Sequence, residues 1–309
     1  MHRVVVGGEC LVDVITEPTG VVREVPGGGP YNTSRTIARL GGRVSFLGCV
    51  SRDRLGERLA GALAADGVDL SLVVRTDAPT TIAHATLDAS GAASYRFDIE
   101  GTAAPMISTA HALDALDPTP SAIHVGTLGL VFEPSGTSLE ALVRAASSET
   151  LVMLDPNARP SAIPDLAAWR ARMGRLAARA DIIRASADDL AVLRPGEPLD
   201  VARGLAAGGS VVLLSDGPRP VRVLAPGIEP LELPVPSLPV VDTVGAGDAF
   251  GGGFLAWWVQ HRLSRDALAD RGLLAEATTF ALQVAAVTCG RAGADPPRLS
   301  ELGMQPPMG

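Results

Sequence analysis

The string Asp242–Thr243–Val244–Gly245–Ala246–Gly247–Asp248, near the C-terminal end of the chain, is the stretch best suited to chemistry. Small residues at 245–247 let the backbone turn tightly and aim successive N–H groups into one space. The apolar run Gly251–Trp258 that follows is long enough for a helix. Its positive N-terminal end would open into the same space, and together these features make a site for an anion, most often phosphate. Asp248 sits among those donors, and a carboxylate does not attract phosphate. Its expected task is to accept the proton of a hydroxyl that attacks phosphorus. The plainer alternative is a helix-entry turn with Asp248 as its cap. A dinucleotide-binding fingerprint is set aside, because Gly251 falls one place too late to complete Gly-x-Gly-x-x-Gly.

Composition narrows the surroundings. With 309 residues, 47% hydrophobic and 19% charged, the chain can bury a substantial core, and one domain over 1–309 is expected. The net charge of −8 and a pI near 5.2 carry no basic footprint, so neither nucleic acid nor an anionic membrane is an expected partner. No apolar run is expected to span a membrane and the N-terminus lacks a signal-peptide layout. Cys10, Cys49 and Cys289 lie far apart among apolar residues, as small hydrophobes in a cytoplasmic protein would. The chain contains no lysine; its 26 basic residues are all arginine. That excludes a Walker A loop, a protein-kinase strand lysine and a Schiff base. Phosphate must then be handled by backbone amides, arginine and metal.

The elements that would position these groups follow in order. Val4–Gly7 reads as a first strand, and Asp13, in the stretch Glu9–Ile15 that follows it, is a candidate substrate ligand at a strand end. Gly27–Gly28–Gly29–Pro30–Tyr31–Asn32 leads into a helix ending near Gly41. Val44–Val50 forms a strand and Leu55–Asp66 a helix. Ile82–Leu87 and Ser94–Ile99 alternate about Ala89–Ser90–Gly91, which predicts a hairpin. From Ala122 onward strands and helices alternate, with strands at Ile123–Val125, Leu151–Leu154, Ile182–Ile183 and Val211–Leu214. This predicts an α/β fold with a parallel sheet covered on both faces. The polar clusters Asp155–Arg159, Ser186–Asp189 and Ser215–Gly217 each fall at a strand's C-terminal end, where ligands gather. Leu273–Cys289 reads as a core helix, and a poorly ordered tail is expected after Pro296.

Three segments carry a family resemblance. Asp242–Asp248 resembles the signature of the ribokinase-like (PfkB) carbohydrate kinases. Gly27–Asn32 resembles that family's first signature in the Gly-Gly-x-Pro-x-Asn form of fructokinase-like members, and Asp155–Arg159 their Asp-Pro-Asn-x-Arg. The resemblance implies a three-layer ribokinase-like fold with a mostly parallel sheet and a small β lid from about 12–27 and 82–101. It implies ATP-dependent phosphorylation of a primary hydroxyl on a small neutral sugar, fructose or a relative. Asp248 would be the base, the amides of Gly245, Ala246 and Gly247 the anion hole, and Arg159 a nearby cation. Asp13, Gly27, Gly28 and Asn32 would hold the sugar, while Ser215, Gly217, Thr243, Gly245, Gly247 and Gly293 would lie along the nucleotide. Magnesium would be influenced through water by Asp189, and a monovalent cation such as potassium would sit by Asp242 and Val244.

Ser186-x-x-Asp189 departs from the family's Asn-x-x-Glu, and Pro220 replaces a glycine beside the nucleotide loop. Arg96 is the only cation on the hairpin, which favours a neutral sugar. A homodimer through the lid is also implied. Two rivals stay open: a nucleoside kinase that stacks a base on Tyr31, Tyr95 or Phe97, and a non-catalytic sugar- or nucleotide-binding relative.

Overall fold

The computed structural model describes residues 2–17, 19–87 and 93–303. The chain enters through β1 (Arg3–Gly7), runs out into β2 (Leu11–Thr16) and β3 (Val22–Gly27), and turns into α1 (Gly29–Arg39). It continues through β4 (Arg43–Ser51), α2 (Arg54–Asp66) and β5 (Val73–Thr76), then leaves again as β6 (Ile82–Leu87) and β7 (Ala93–Asp98). After α3 (Thr109–Asp114) come β8 (Ala122–Gly126), α4 (Ser135–Ala145), β9 (Leu151–Asp155) and α5 (Leu166–Ala177). β10 (Ile182–Ser186), α6 (Ala187–Leu193), α7 (Pro198–Ala207) and β11 (Val211–Asp216) follow. The hairpin β12 (Arg219–Ala225) and β13 (Ile228–Leu233) precedes α8 (Ala246–Gln260) and α9 (Arg271–Cys289).

Among the described residues, nine strands form one sheet in the order β13-β12-β11-β10-β9-β8-β1-β4-β5. All neighbours from β11 to β5 are parallel, and only β12 and β13 run antiparallel at the edge. Parallel strands must be covered on both faces, and alternate residues do so here. Val4, Val6, Met153 and Leu213 pack toward α1, α2, α8 and α9. Val5, Ile123, Val152 and Val212 pack toward α3 to α7. The three-layer α/β architecture expected from the alternation is present.

A second sheet, ordered β3-β2-β6-β7, is assembled from the two excursions of the chain. Leu11 and Ala83 from its strands pack on Leu128 and Phe132, just beyond the C-terminal end of β8. The small sheet therefore stands over the strand ends of the large one. Asp53 fixes its approach: the carboxylate caps α2 through the Gly56 amide at 2.8 Å and also takes the Thr80 amide at 2.8 Å. The hairpin turn expected at Ala89–Ser90–Gly91 and the side chain of Tyr95 lie outside the described residues.

Three glycines run through the middle of α8, each costing about 1 kcal/mol relative to alanine in a helix. Close packing explains two of them. A Cβ on Gly252 would stand 2.9 Å from Thr36 Cβ of α1, and one on Gly253 would stand 3.2 Å from Ala281 Cα of α9. The bare backbone lets α8 lie tight between its neighbours, with Phe254 stacked on Trp258 at 5.5 Å.

Two sequence expectations need correction. Arg271–Cys289 is a 19-residue helix of mean hydropathy 1.4, long and apolar enough by those measures to cross a membrane. Its hydrophobicity serves burial in the core, where Leu274, Ala281 and Val284 are fully covered. The segment after Pro296 is also more tied down than expected: Leu299–Leu302 forms a 3₁₀ turn, and Arg298 pairs with Asp66 at 3.1 Å. Residues 304–309 lie outside the described part.

Asp66 gathers three cations, Arg35 at 2.7 Å, Arg39 at 2.8 Å and Arg298 at 3.1 Å, around a side chain only 4% exposed. Asp66→Asn leaves those guanidinium groups without their shared anion and is expected to cost about 3 kcal/mol in urea unfolding. Asp295→Asn, at an exposed partner of Arg39, is expected to cost less than about 1 kcal/mol in the same measurement.

Candidate active site

Two helix N-termini open into one cavity of about 390 Å³. α8 begins after Gly245, whose φ of +76° and close approach to Ala294, 2.5 Å from a would-be Cβ, both require glycine. α1 begins after Gly28, at φ +106°, where a Cβ would strike the Glu9 carbonyl oxygen at 2.7 Å. Asp248 in the first turn of α8 and Asn32 in the first turn of α1 are both buried, and they meet there. Asn32 Nδ2 donates to Asp248 Oδ2 at 2.9 Å. Because that bond fixes the amide, Asn32 Oδ1 faces away from Asp248, buried and without a partner. Only a donor can satisfy it, such as a ligand hydroxyl.

Burial raises the Asp248 carboxyl above the ordinary aspartate range, against the downward pull of Asn32, Arg184 and Arg159. Asp13, on β2, is pushed up to about 6, first by burial and further by Asp248, with Arg159 opposing. Its Oδ2 lies 2.2 Å from where a Cβ of residue 27 would sit, so the bare Gly27 leaves room for the carboxylate as it is placed. Phe97, Asn157 and the exposed Arg159 complete that end of the cavity. Arg159 donates to its neighbour's carbonyl, Ala158 O, at 3.1 Å.

The amides at the α8 entrance divide unevenly. Ala246 N–H donates to Thr243 O at 3.2 Å, so it is engaged within the turn rather than open to an anion. Among the described residues no acceptor lies on the amides of Gly245, Gly247 or Asp248. Asp248 thus joins the donor set expected at 245–247, since first-turn amides have no partner inside the helix.

Beyond Gly247 a second cavity of about 670 Å³ runs between Val235, Leu238, Val240, Phe250, Leu282 and Ala286. Ser215, Gly217 and Thr243 border it, as expected for the nucleotide end. Gly293 lines neither cavity; its amide donates to Asp242 Oδ2 at 2.9 Å, while Val244 N–H donates to Asp242 Oδ1 at 3.0 Å. Asp242 therefore ties two loops together. Pro220 lies in β12, off the wall of this cavity. Tyr31 is fully buried beneath Arg35 and cannot stack a ligand, whereas Phe97 reaches the first cavity.

Asp189 is bound up in the fold. Its Oδ1 takes the Ala158 amide at 2.7 Å, and its Oδ2 takes the Ser186 amide at 2.8 Å and hydroxyl at 2.6 Å. The altered Ser186-x-x-Asp189 is thus a capping box that clamps the ends of β9 and β10 together. No three His, Cys, Asp or Glu side chains gather as a metal cage among the described residues.

Two further buried residues of the cavity wall were not among the site candidates read from the sequence. Glu9 is buried under the α1 entrance, accepting from the Gly29 amide at 3.1 Å, the Gly129 amide at 2.7 Å and the Thr127 hydroxyl. Burial, opposed by those bonds, pushes it up to about 7. Arg184 is buried at the end of β10 and pairs with Asp155 at 3.2 Å. The signal for it was available: a lone charge inside the apolar run Ile182–Ile183–Arg184–Ala185 needs a partner and a reason.

A buried carboxyl between two helix N-termini, with a polar cavity on one side and open amides on the other, is an arrangement suited to phosphoryl transfer. The chain belongs to the pfkB family of carbohydrate kinases, whose model it matches over residues 1–301. It is 35% identical over 255 residues to a fructokinase of Rhizobium leguminosarum bv. trifolii, covering 81% of this chain and 77% of that protein. A structure of fructokinase with bound ATP from Xylella fastidiosa superposes with a TM-score of 0.89, at 27% identity, over 97% of this chain and 96% of the other. Aminoimidazole riboside kinase from Salmonella enterica, complexed with aminoimidazole riboside and an ATP analog, superposes with a TM-score of 0.83. That likeness is at 26% identity over 98% and 99% of the two chains. The fold is ribokinase-like.

The electrostatics can be checked on the free protein. By carboxyl-resolved ¹³C NMR, Asp13 is expected to titrate near pH 6, and Arg159→Met, which removes the opposing charge, is expected to move it upward. An Asp13 titration at the solvent-exposed value of about 4 in the unaltered chain would contradict the burial described.

Proposed function

We propose that this chain uses ATP to phosphorylate a primary hydroxyl of a small neutral sugar, with fructose the favoured substrate. The observation that carries the reading is the hydrogen bond between Asn32 and Asp248 at two facing helix N-termini. Since Asp248 Oδ2 holds Asn32, Oδ1 is left for the substrate hydroxyl, and the absent Cβ of Gly29 leaves it room. Asp248 takes the hydroxyl proton as the sugar oxygen bonds to the γ-phosphorus. The open amides of Gly245, Gly247 and Asp248 stabilise the charge that grows on the phosphoryl oxygens. Asn32 Oδ1, Asp13 and the backbone at Gly27 and Gly28 read sugar hydroxyls, with Arg159 at the mouth.

The apolar cavity beyond Gly247 suits an adenosine. Magnesium would arrive on the nucleotide phosphates and offset their charge. A potassium ion by Val244 would rest on loop carbonyls, since Asp242 is engaged with two amides.

A neutral sugar is favoured because Arg96 of β7 turns to Asp98 rather than serving the cavity. Fructokinase relatives favour fructose. A riboside acceptor is the second reading, supported by Phe97 on the cavity wall and by the riboside kinase of similar fold. The small sheet is proposed to act as a lid within a single domain over 1–309. Val21 and Val22, exposed beside and on its edge strand β3, suit a homodimer through that lid. The free cysteines suit a cytoplasmic setting.

ADP release measured over a panel of fructose, ribose, other neutral sugars and ribosides is expected to be fastest with fructose. Preference for a riboside would transfer the assignment to the second reading. Asp248→Asn is expected to lower kcat by about 10²–10⁴ with ATP affinity retained, and near-normal turnover in that variant would remove Asp248 from the mechanism.

A further inference from the structure

The geometry points to Arg184 as the phosphate-binding cation of this chain, its guanidinium held by Asp155 between the two cavities to receive the terminal phosphates of the nucleotide. This rests on the kinase reading above and adds to it a residue in contact with the transferring group.

Arg184 lines both cavities, the polar one at the Asp248 end and the apolar one beyond Gly247. Its guanidinium lies against the α8 entrance so closely that a Cβ on Gly247 would stand 2.4 Å from Nη2 and 2.7 Å from Cζ and Nη1. Gly247, already within α8, leaves room for the arginine's approach. The side chain is only 9% exposed. Nη1 donates to Asp155 at 3.2 and 3.3 Å and Nη2 to Ser215 at 3.4 Å, while Nε is buried without a partner. Charge-assisted bonds of this kind ordinarily close to about 2.7–2.9 Å. The guanidinium is thus anchored but not saturated, and a phosphate oxygen is the acceptor that its fork fits.

Elimination leads to the same residue. The chain has no lysine, so a phosphate-side cation must be arginine. Arg159 is exposed at the sugar mouth, where its charge acts on Asp13 and Asp248. Arg184 acts on Asp248 as well, and it lies against Gly247 beside the open amides. In the transfer, the sugar oxygen bonds to the γ-phosphorus and its proton passes to Asp248. The bond from that phosphorus to the bridging oxygen breaks, and ADP departs with the electron pair on its β-phosphate. Arg184 offsets the negative charge that appears there, and Asp155 keeps the guanidinium in place between turnovers.

The test is calorimetric binding of ATP, ADP and AMP to the full chain, with steady-state kinetics alongside. Arg184→Met is expected to weaken ATP about 10- to 100-fold and to lower kcat by a similar factor, with AMP affinity and sugar KM nearly unchanged. Arg184→Lys, a point charge without the fork, is expected to recover part of both losses. ATP affinity and kcat unchanged in Arg184→Met would overturn the assignment, as would equal weakening of ATP and AMP, which marks a collapsed site. If Arg184→Met fails to fold, Arg184→Lys decides, because it keeps the charge and removes only the fork. Weaker ATP with AMP affinity unchanged in that variant supports the assignment, and ATP affinity and kcat both unchanged, or ATP and AMP weakened equally, overturn it. Arg184-dependent ATP binding in a protein that turns over no sugar or riboside would sink the kinase reading and leave the cation standing.

Discussion

The approach of α8 to α1 is the constraint on which the site depends. Asn32 and Asp248 can share a hydrogen bond only because Gly252 brings the α8 backbone against Thr36 and the Thr33 carbonyl. Larger residues there would separate the two helix ends by roughly the size of a methyl group and break the contact. The helix-weakening glycines of α8 are offset by burial, since the helix is apolar nearly all round and packed between α1 and α9. Local propensity yields to packing at this point, and the chemistry is the result.

Around that contact the site separates unlike charges with little free volume. Glu9, Asp13, Asp155 and Asp248 all point toward one region, and burial raises every one of them. They coexist because each has an answering group. Glu9 has two amides and a hydroxyl, Asp155 has Arg184, Asp248 has Asn32, and Asp13 feels Arg159. The backbone amides at the α8 entrance are left over, and in a chain without lysine they supply much of the positive potential. A polar pocket with acceptors at one end and donors at the other is the outcome.

Much of this was legible in the residues. Strand ends followed by polar clusters located the site, because parallel sheets gather ligands there, and the 242–248 string located the anion-binding turn. The apolar runs placed β1, β4, β8, β9 and β11 within a residue or two, while β10 extends three residues beyond the run Ile182–Ile183. The missing parts are those that depend on distant partners. Ser186-x-x-Asp189 is a local capping-box pattern, but nothing local says that Asp189 also takes the Ala158 amide from the end of β9. Arg184 could have been noticed as a charge in an apolar strand, but its contact with Gly247 spans more than sixty residues of sequence. Hydropathy alone could not tell whether α9 lies among lipid tails or among the side chains of its own core.

The four strands of the small sheet come from two excursions, one inserted in the crossover from β1 through α1 to β4 and one in the connection from β5 through α3 to β8. On the proposed reading, Asp13 of the small sheet faces the acceptor while the α8 entrance faces phosphate, so part of acceptor recognition lies on a separate stretch of chain. Insertions or exchanges in the two excursions can retune which molecule is taken up while α8 and its entrance stay as they are. A scaffold divided in this way lets acceptor choice drift among descendants without reinventing the transfer step.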